Sequence, residues 1–487
     1  MRMSKQIRMG ASRWSANIPV RLSGQREQAS RAKRRRAALV LAASFCFLAI
    51  FVTDLTGLAQ PAPQSPATTT ASRNAALIAA TAEVLKETSE IRQLPILRPV
   101  QSSTQSRAEI ERMLIKNLDE ETTPAQIHAT EVTLKKLGLA PADFQYRALM
   151  LRLLTEQVAG YYDPKAQQFH LADWIDLDGQ KPVMAHELTH ALQDQHFNLR
   201  RFEHWPKGDS DAELAAHALI EGDATLAMTL YVTRNPLRAL AFLKSLGASG
   251  MPSDELDHAP RALRETLLFP YQEGILWTRN LYQRDGWNEV SQAFTTLPQS
   301  TEQIMHPEKY FAHEAPVKVA LADIGPILNH TGRVAVRSKP PAVSGGSRTQ
   351  PAWKKLDTDV NGEWGFYLIL DQFLKSPSES HRAAAGWGGD RYSIYEGPKG
   401  EVLYISLSTW DTENDAREFF DAYVKRTEHR YASVVPTEPA PNTESLSRTF
   451  RTSQGTVLIE RRGPRVLVLE GIPEQMNSNS MAKSLWQ

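Results

Sequence analysis

The chain has 487 residues, of which 41% are hydrophobic and 23% charged, so its composition is that of a folded protein with room for two or three domains. Its single cysteine, Cys46, excludes an intramolecular disulfide, a thiolate zinc site and a Cys-X-X-Cys redox centre. The net charge of +1 is the sum of a strongly basic segment, residues 1–36, and a mildly acidic remainder. A nucleic-acid-binding domain would carry its basic surface on the folded part, so we expect no nucleic-acid partner.

Residues 1–59 have the layout of a signal peptide or an N-terminal membrane anchor. The basic residues end at Arg36, and the uninterrupted apolar segment 37–52 follows, which is long for a signal core and short for a bilayer span. The small residues Gly57 and Ala59 then suit signal cleavage. We expect an exported protein, periplasmic or extracellular. Anchoring to the inner membrane by this apolar segment is the second interpretation, and a buried core helix is the third.

The next two parts of the chain are a linker and a helical region. Residues 60–73 are rich in Pro, Ala, Thr and Ser and cannot bury an apolar face. Four helices are predicted within 74–157, with capping signals at Ser106 and Thr123 and a stop at Gly138. We interpret 74–157 as a mostly helical N-terminal region with a scaffold role.

A predicted β-hairpin precedes the most informative segment. Val158–Tyr162 and Gln168–Leu171 have strand character, and Asp163 and Pro164 carry turn chemistry between them. A helix is predicted to begin at Pro182 and reads VMAHELTHALQDQHF.

That helix contains the motif His-Glu-X-X-His. Because four residues advance a helix by about 400°, His186 and His190 lie on one face, where both imidazoles can bind one tetrahedral Zn²⁺. Glu187 is placed to take a proton from the metal-bound water and deliver it to a leaving amine. A buried or solvated histidine pair without metal is the alternative.

Two downstream residues are candidates for a third ligand. His196 is six residues beyond His190, but Gln193 stands where a glycine would have to turn the chain, so a continuing helix carries His196 off the ligand face. Glu221 lies within an apolar helical segment, where a carboxylate is costly unless it is paired or bound to metal. Gly222 beside it weakens the helix, which is tolerable if another element must approach closely there.

The segments H-E-L-T-H and L-I-E-G-D-A together resemble the gluzincin branch of the zincin-fold metallopeptidases. The third ligand of that family is a glutamate on a helix after the motif helix, and in the membrane alanyl aminopeptidases a glycine likewise follows it. The resemblance implies Zn²⁺ as the cofactor and four site residues: the ligands His186, His190 and Glu221 and the general base Glu187. Thr225 stands where thermolysin-like enzymes have an aspartate that supports a ligand histidine, and Asp223 or Asp194 is the alternative supporter.

A zinc peptidase usually has one more donor, which stabilises the oxyanion of the reaction. Tyr271, in L-L-F-P-Y-Q-E-G, and His306, in S-T-E-Q-I-M-H-P, are the two candidates, and packing or turn roles are the alternative. The order of G-Y-Y-D-P, the motif helix, E-G-D-A and S-T-E-Q-I-M-H-P also resembles a group of exported bacterial zincin-like proteins.

The rest of the chain is predicted to contain a loop, 336–352, and a small α+β C-terminal domain, 353–487. Its elements are a helix near Glu363–Leu374, an amphipathic helix around Phe419, and four strands near Arg391–Tyr395, Glu401–Trp410, Thr456–Glu460 and Arg465–Glu470. We interpret Trp387 and the glycines beside it as a turn with an aromatic anchor.

The sequence therefore predicts an α+β protein whose zincin-like catalytic domain spans 158–335. The expected activity is zinc-dependent hydrolysis of a polypeptide substrate. A catalytically silent binding or assembly protein of the cell envelope, and a zinc hydrolase of a non-peptide amide, are the alternatives. The N-terminal helices are expected to be scaffold, or else a cover that acts as a pro-segment.

Overall fold

The computed structural model describes residues 70–486 except 158, 175–176, 178–179, 206–207, 241, 243–253, 332–351, 432–434 and 438–445. The expected signal peptide or anchor, residues 60–69 of the linker and all but the last residue of the loop 336–352 lie outside the described residues. Residues 70–73, predicted as linker, are already helical. Within the described part, no helix is both long and apolar enough to cross a membrane.

The fold is α+β and contains two sheets, in agreement with the predicted class. The helices are α1 (Thr70–Arg92), α2 (Arg107–Glu121), α3 (Pro124–Leu137), α4 (Tyr146–Gln157), α5 (Lys181–Phe197), α6 (Ser210–Thr233), α7 (Asp254–His258), α8 (Arg261–Ala293), α9 (Thr301–Met305), α10 (Pro307–Phe311), α11 (Gly325–Thr331), α12 (Gly362–Leu374), α13 (Pro377–Ala384), α14 (Glu413–Arg430) and α15 (Ser478–Leu485). The strands are β1 (Gln101–Gln105), β2 (Gly160–Asp163), β3 (Gln168–Ala172), β4 (Lys354–Asp359), β5 (Trp387–Glu396), β6 (Val402–Trp410), β7 (Val435–Thr437), β8 (Leu446–Thr452), β9 (Gly455–Arg462) and β10 (Arg465–Ile472).

The first sheet has three strands in the order β1-β3-β2. Strands β2 and β3 form the predicted hairpin, in which Tyr162 is opposite Phe169. Strand β1 was not predicted, because QSSTQ has no alternating apolar pattern, and it pairs in parallel with β3. The N-terminal region therefore contributes a strand to the same sheet as the hairpin.

A shared apolar core joins the N-terminal region to the motif helix. Leu77 and Val84 of α1, Leu149 of α4, Phe169 of β3 and Met184 of α5 are all buried in one cluster. Because burial of such side chains is the main stabilising term in folding, these elements form one packing unit rather than a separable N-terminal layer.

The helix that carries Glu221, α6, is crossed closely by α8. A Cβ atom added at Gly222 would lie 2.2 Å from the carbonyl oxygen of Gly274, and one added at Gly274 would lie 2.3 Å from that of Ala218. Two glycines thus let the helix backbones touch. This close approach is the condition under which the sequence makes a glycine tolerable at position 222 of the helix.

The second sheet has seven strands in the order β4-β5-β6-β10-β9-β8-β7, and the neighbouring strands are antiparallel. The predicted strands correspond to β5, β6, β9 and β10, and the predicted helices to α12 and α14. Strands β4, β7 and β8 were missed, so this unit is larger than predicted.

The interpretation of Trp387 and the glycines beside it as a turn is right for Gly386 and wrong for Trp387, Gly388 and Gly389. Trp387 begins strand β5, and its indole Nε1 donates to Asp390 Oδ1 at 3.0 Å. A Cβ at Gly389 would lie 2.2 Å from the carbonyl oxygen of Val317, so this glycine admits a passing chain segment within the strand. The turn itself falls at Gly386, whose φ is 74°.

Candidate metal centre

The motif helix α5 begins with Pro182 in its first turn and continues unbroken through Gln193 to Phe197. Asn198 then ends it in the left-handed conformation. Because the helix continues, His196 is carried away from the motif face, and its Nε2 lies 2.7 Å from the carbonyl oxygen of Pro95. The sequence argument against His196 as a ligand agrees with this placement.

Three side-chain atoms converge where α5 faces α6. Nε2 of His186 lies 3.0 Å from Nε2 of His190 and 3.1 Å from Oε2 of Glu221. Nε2 of His190 lies 3.5 Å from Oε2 of Glu221. Ligand atoms of a tetrahedral zinc ion with bonds of about 2 Å are about 3.3 Å from one another. The separations and the donor set, two imidazoles and a carboxylate, therefore fit Zn²⁺.

The electrostatics of the centre also fit a cation. Glu221 is 1% exposed, and although burial alone would raise its pKa, His190 and His186 lower it to about 2. Burial alone would lower the pKa of His190, but Glu221 raises it to about 9, while burial lowers that of His186 to about 4. The buried carboxylate therefore needs positive charge beside it, which either a proton on His190 or a bound cation supplies.

Glu187 is turned from the ligand face toward the hairpin. The backbone N–H of Tyr162, in β2, donates to Glu187 Oε2 at 3.0 Å. Burial raises the pKa of this carboxyl to about 8. The glutamate of the motif therefore lies between the ligand pair and an edge strand of the first sheet.

A second layer of hydrogen bonds surrounds His190. Its Nδ1 lies 2.9 Å from Gln193 Oε1, and Gln193 Nε2 donates to Asp223 Oδ2 at 2.9 Å. Asp223 also accepts from Arg92 Nε, in α1, at 2.5 Å. Neither Gln193 nor Arg92 was identified from the sequence, where Gln193 was considered only as the residue that replaces a turn-forming glycine.

The two aspartates considered as supporters have different partners. Asp223 is connected to the ligand residue His190 by hydrogen bonds through Gln193. Asp194 accepts from the hydroxyl of Tyr162 at 3.0 Å and from Arg98 at 2.8 Å, so it ties α5 to the hairpin and to the segment before β1.

The two candidate oxyanion donors are placed differently. The ring of Tyr271, on α8, stacks against that of His186 with 6.2 Å between centroids, so it belongs to the centre. His306 lies between α9 and α10, where its Nε2 is 2.9 Å from Glu363 Oε1. The salt-bridge partners of its ring among the described residues are Glu363 and Glu308, and no ligand residue is among them.

A second group of acidic residues, Glu302, Glu314 and Asp411, also has metal-ligand spacing. Here the amine of Lys309 lies within 2.8 Å of an oxygen of each of the three. This cation already balances the cluster, which we interpret as a structural ion-pair network.

Residues 349–480 match a family described as a domain of unknown function (DUF8575). The match covers the second sheet and the helices α12 to α14, and the candidate metal centre lies outside it. No curated protein and no solved structure matches the chain.

Proposed function

We propose that this protein is a zinc-dependent peptidase with a zincin-like core of gluzincin type. The observation that carries the proposal is the convergence of His186, His190 and Glu221 at 3.0 to 3.5 Å, with Glu187 buried beside them. The ligands come from a His-Glu-X-X-His helix and from a later helix, the arrangement that the resemblance implies.

Each residue of the centre has a distinct role. His186, His190 and Glu221 would hold the ion. When bound, Zn²⁺ supplies a Lewis acid that lowers the pKa of a water molecule and polarises the substrate carbonyl. Glu187 accepts the proton of the attacking water and returns it to the leaving amine. Tyr271 is the donor for the oxyanion, since its ring lies against His186, whereas His306 is held at Glu363.

A peptide substrate is favoured by the position of β2. This strand lies at the edge of the first sheet, and an extended peptide can add to such an edge by backbone hydrogen bonds. Tyr162 N–H, in this strand, bonds Glu187, so an added peptide would run past the general base. A non-peptide amide would have no use for the strand edge.

The decisive experiment compares wild type with Glu187→Gln. The variant should retain about one zinc per chain, because the ligands are untouched, and should cleave a proteome-derived peptide library at least about 10²-fold more slowly. The matched control is Glu213→Gln, a buried carboxyl on the ligand helix α6 that should leave cleavage unchanged. Wild-type turnover by a zinc-loaded Glu187→Gln protein would contradict the mechanism.

The ligand assignment has its own test. Glu221→Ala should lose zinc, and His196→Ala should retain it, because His196 lies against Pro95. Zinc loss from His196→Ala alone would instead favour a three-histidine centre.

A second function, a catalytically silent binding or assembly protein of the cell envelope, is favoured by the enclosure of the site. His186, Glu187, His190 and Glu221 are each only 1% exposed. A wild-type protein that binds zinc, cleaves nothing in the library and hydrolyses no small amide would support it. Hydrolysis of small amides by a protein that cleaves no peptide of the library would support the non-peptide hydrolase.

Export is proposed from residues 1–59 alone, which lie outside the described part of the chain. The expected location is periplasmic or extracellular, with residues 37–52 as either signal core or anchor. N-terminal sequencing of the mature protein, together with cell fractionation, distinguishes a cleaved signal from an anchor. Recovery of the intact chain in the cytoplasm would contradict both.

A further inference from the structure

The hydrogen bonds around Gln193 leave only one orientation for its amide. Its Nε2 lies 3.0 Å from the carbonyl oxygen of Ile220 and 2.9 Å from Oδ2 of Asp223. Both of these oxygens can only accept, so the nitrogen of the amide must face them. The oxygen of the amide therefore faces His190.

This orientation determines which nitrogen of His190 carries a proton in the neutral ring. Gln193 Oε1 can only accept, so His190 Nδ1, 2.9 Å away, must be the donor. The lone pair of the neutral imidazole is then on Nε2, the atom that faces His186 and Glu221. A metal ligand needs its lone pair on that atom.

Asp223 is held in its place by a residue from the start of the described chain. Arg92 donates to Asp223 Oδ1, and both side chains are 0% exposed. The same guanidinium donates to Ser291 Oγ at 3.1 Å and lies 4.5 Å from the ring centroid of Trp287. A buried ion pair with these additional contacts fixes the carboxylate against α1, α6 and α8.

We propose that Arg92, Asp223 and Gln193 are positioning residues that form a relay of hydrogen bonds setting the tautomer and orientation of His190 for metal binding. This inference rests on the proposed function, since it concerns the same centre. It makes α1 a working part of that centre rather than a removable cover. His186 has no equivalent support, because its Nδ1 has no hydrogen-bond partner among the described residues.

The test measures the metal-free protein and the zinc-bound protein separately. Imidazole nitrogen spectra of the metal-free protein, recorded above pH 9 where the His190 ring is neutral and assigned with His190→Gln, report which ring nitrogen keeps its proton. Gln193→Met should remove the preference for Nδ1–H and weaken zinc binding, measured by chelator competition, by about 10- to 100-fold. Gln180→Met is the matched control, because Gln180 is a buried glutamine at the start of α5 whose amide has no partner among the described residues.

A swapped pair distinguishes positioning from general damage to the fold. Gln193→Glu or Asp223→Asn alone should weaken zinc binding, since each unbalances the charge beside Arg92. The double variant Gln193→Glu with Asp223→Asn keeps an acceptor for His190 Nδ1, restores the net charge and lets the amide introduced at position 223 donate to the carboxylate introduced at position 193, so it should recover part of the affinity even though Ile220 O loses its donor.

An unchanged tautomer in Gln193→Met, or an unchanged zinc affinity, would overturn the relay. Equal losses in the single variants and the double variant would also overturn it. Wild-type protein that binds zinc and shows the expected tautomer but cleaves no peptide would contradict the proposed function while supporting the relay.

Discussion

Tyr271 is the residue that we propose as donor to the oxyanion. Its ring stacks on His186, one of the ligands of the proposed zinc ion. We expect Tyr271→Phe to lower kcat by about 10²- to 10³-fold with little change in KM, because a hydroxyl that meets the oxyanion acts mainly in the transition state. Steady-state kinetics on a cleaved peptide measure both constants.

The control for this substitution is Tyr282→Phe, on the same helix, where the half-buried ring packs edge-on against Trp287. It should leave kcat unchanged. A kcat of Tyr271→Phe within threefold of wild type would remove the hydroxyl from the mechanism and leave Tyr271 as a packing residue.

Among single residues, the sequence predicted those that a fixed spacing on one helix brings together. His186 and His190 share a helix, and Glu221 was identified because a carboxylate in an apolar helix needs a partner. Gln193 and Arg92 could not be identified in this way. A glutamine has no diagnostic spacing, and Arg92 meets Asp223 across 131 positions of the chain.

The crossing of α6 and α8 controls where Glu221 lies relative to Tyr271. In Gly222→Ala the added methyl group would overlap Gly274 O and also approach Thr278 Oγ1 at 2.5 Å, so the two helices must move apart. We expect a loss of about 1 to 3 kcal/mol in the free energy of unfolding, measured by urea denaturation, and weaker zinc binding.

Gly365→Ala, in α12, is the matched control, since its Cβ would meet only Asn361 Cβ, at 3.4 Å. There the alanine should be neutral or stabilising by up to about 1 kcal/mol, which is its usual advantage over glycine in a helix. Equal free energies of unfolding for both variants would mean that α6 and α8 can move apart without loss of stability and that Gly222 has no packing role.

Local sequence signals were sufficient to predict the helix and strands nearest the site. They were insufficient to predict elements that depend on contacts with distant parts of the chain. The hairpin β2–β3 and the helix α5 have turn residues and a helix-initiating proline in their own sequence. Strand β1 is polar and exists because β3 accepts it in parallel register. Gly389 was interpreted as a turn residue because the sequence does not show that the Val317 backbone passes against it.

Across the whole molecule, a buried ionic cluster joins the N-terminal helices to the second sheet. Glu470, on β10, accepts from Arg426 and Arg430 of α14, and Arg426 also donates to the carbonyl oxygen of Leu137 at the end of α3. Lys136 lies close enough to act on Glu470 as well. The matched domain therefore depends on the region before the metal centre for part of its charge balance.

This cluster predicts how stability depends on pH. Burial alone would raise the pKa of Glu470, but Arg426, Arg430 and Lys136 lower it to about 2, from an ordinary value of 4.5. Because the folded-state pKa is the lower one, its contribution is fully present above pH 4.5 and is lost as the pH falls toward 2. The contribution is of the order of 3 kcal/mol.

Unfolding of wild type and Glu470→Gln by urea, repeated from pH 7 to pH 2, tests this expectation. The difference between their free energies of unfolding should be constant above about pH 5 and should shrink toward pH 2. A difference that does not change over the whole range would show that Glu470 has the same pKa in the folded and unfolded chains.

The ion pair between Arg92 and Asp223 also sets an order of events during synthesis. The chain is made from its amino end, so α1 is complete long before Asp223, which lies 131 positions later, has been added. A guanidinium keeps its charge, and burying it without a partner is costly, so α1 cannot take its final place until α6 arrives. Contacts between such distant positions form slowly. The proposed metal centre thus cannot form before α6 has been made, and a zinc ion that the nascent chain meets earlier finds only part of the ligand set.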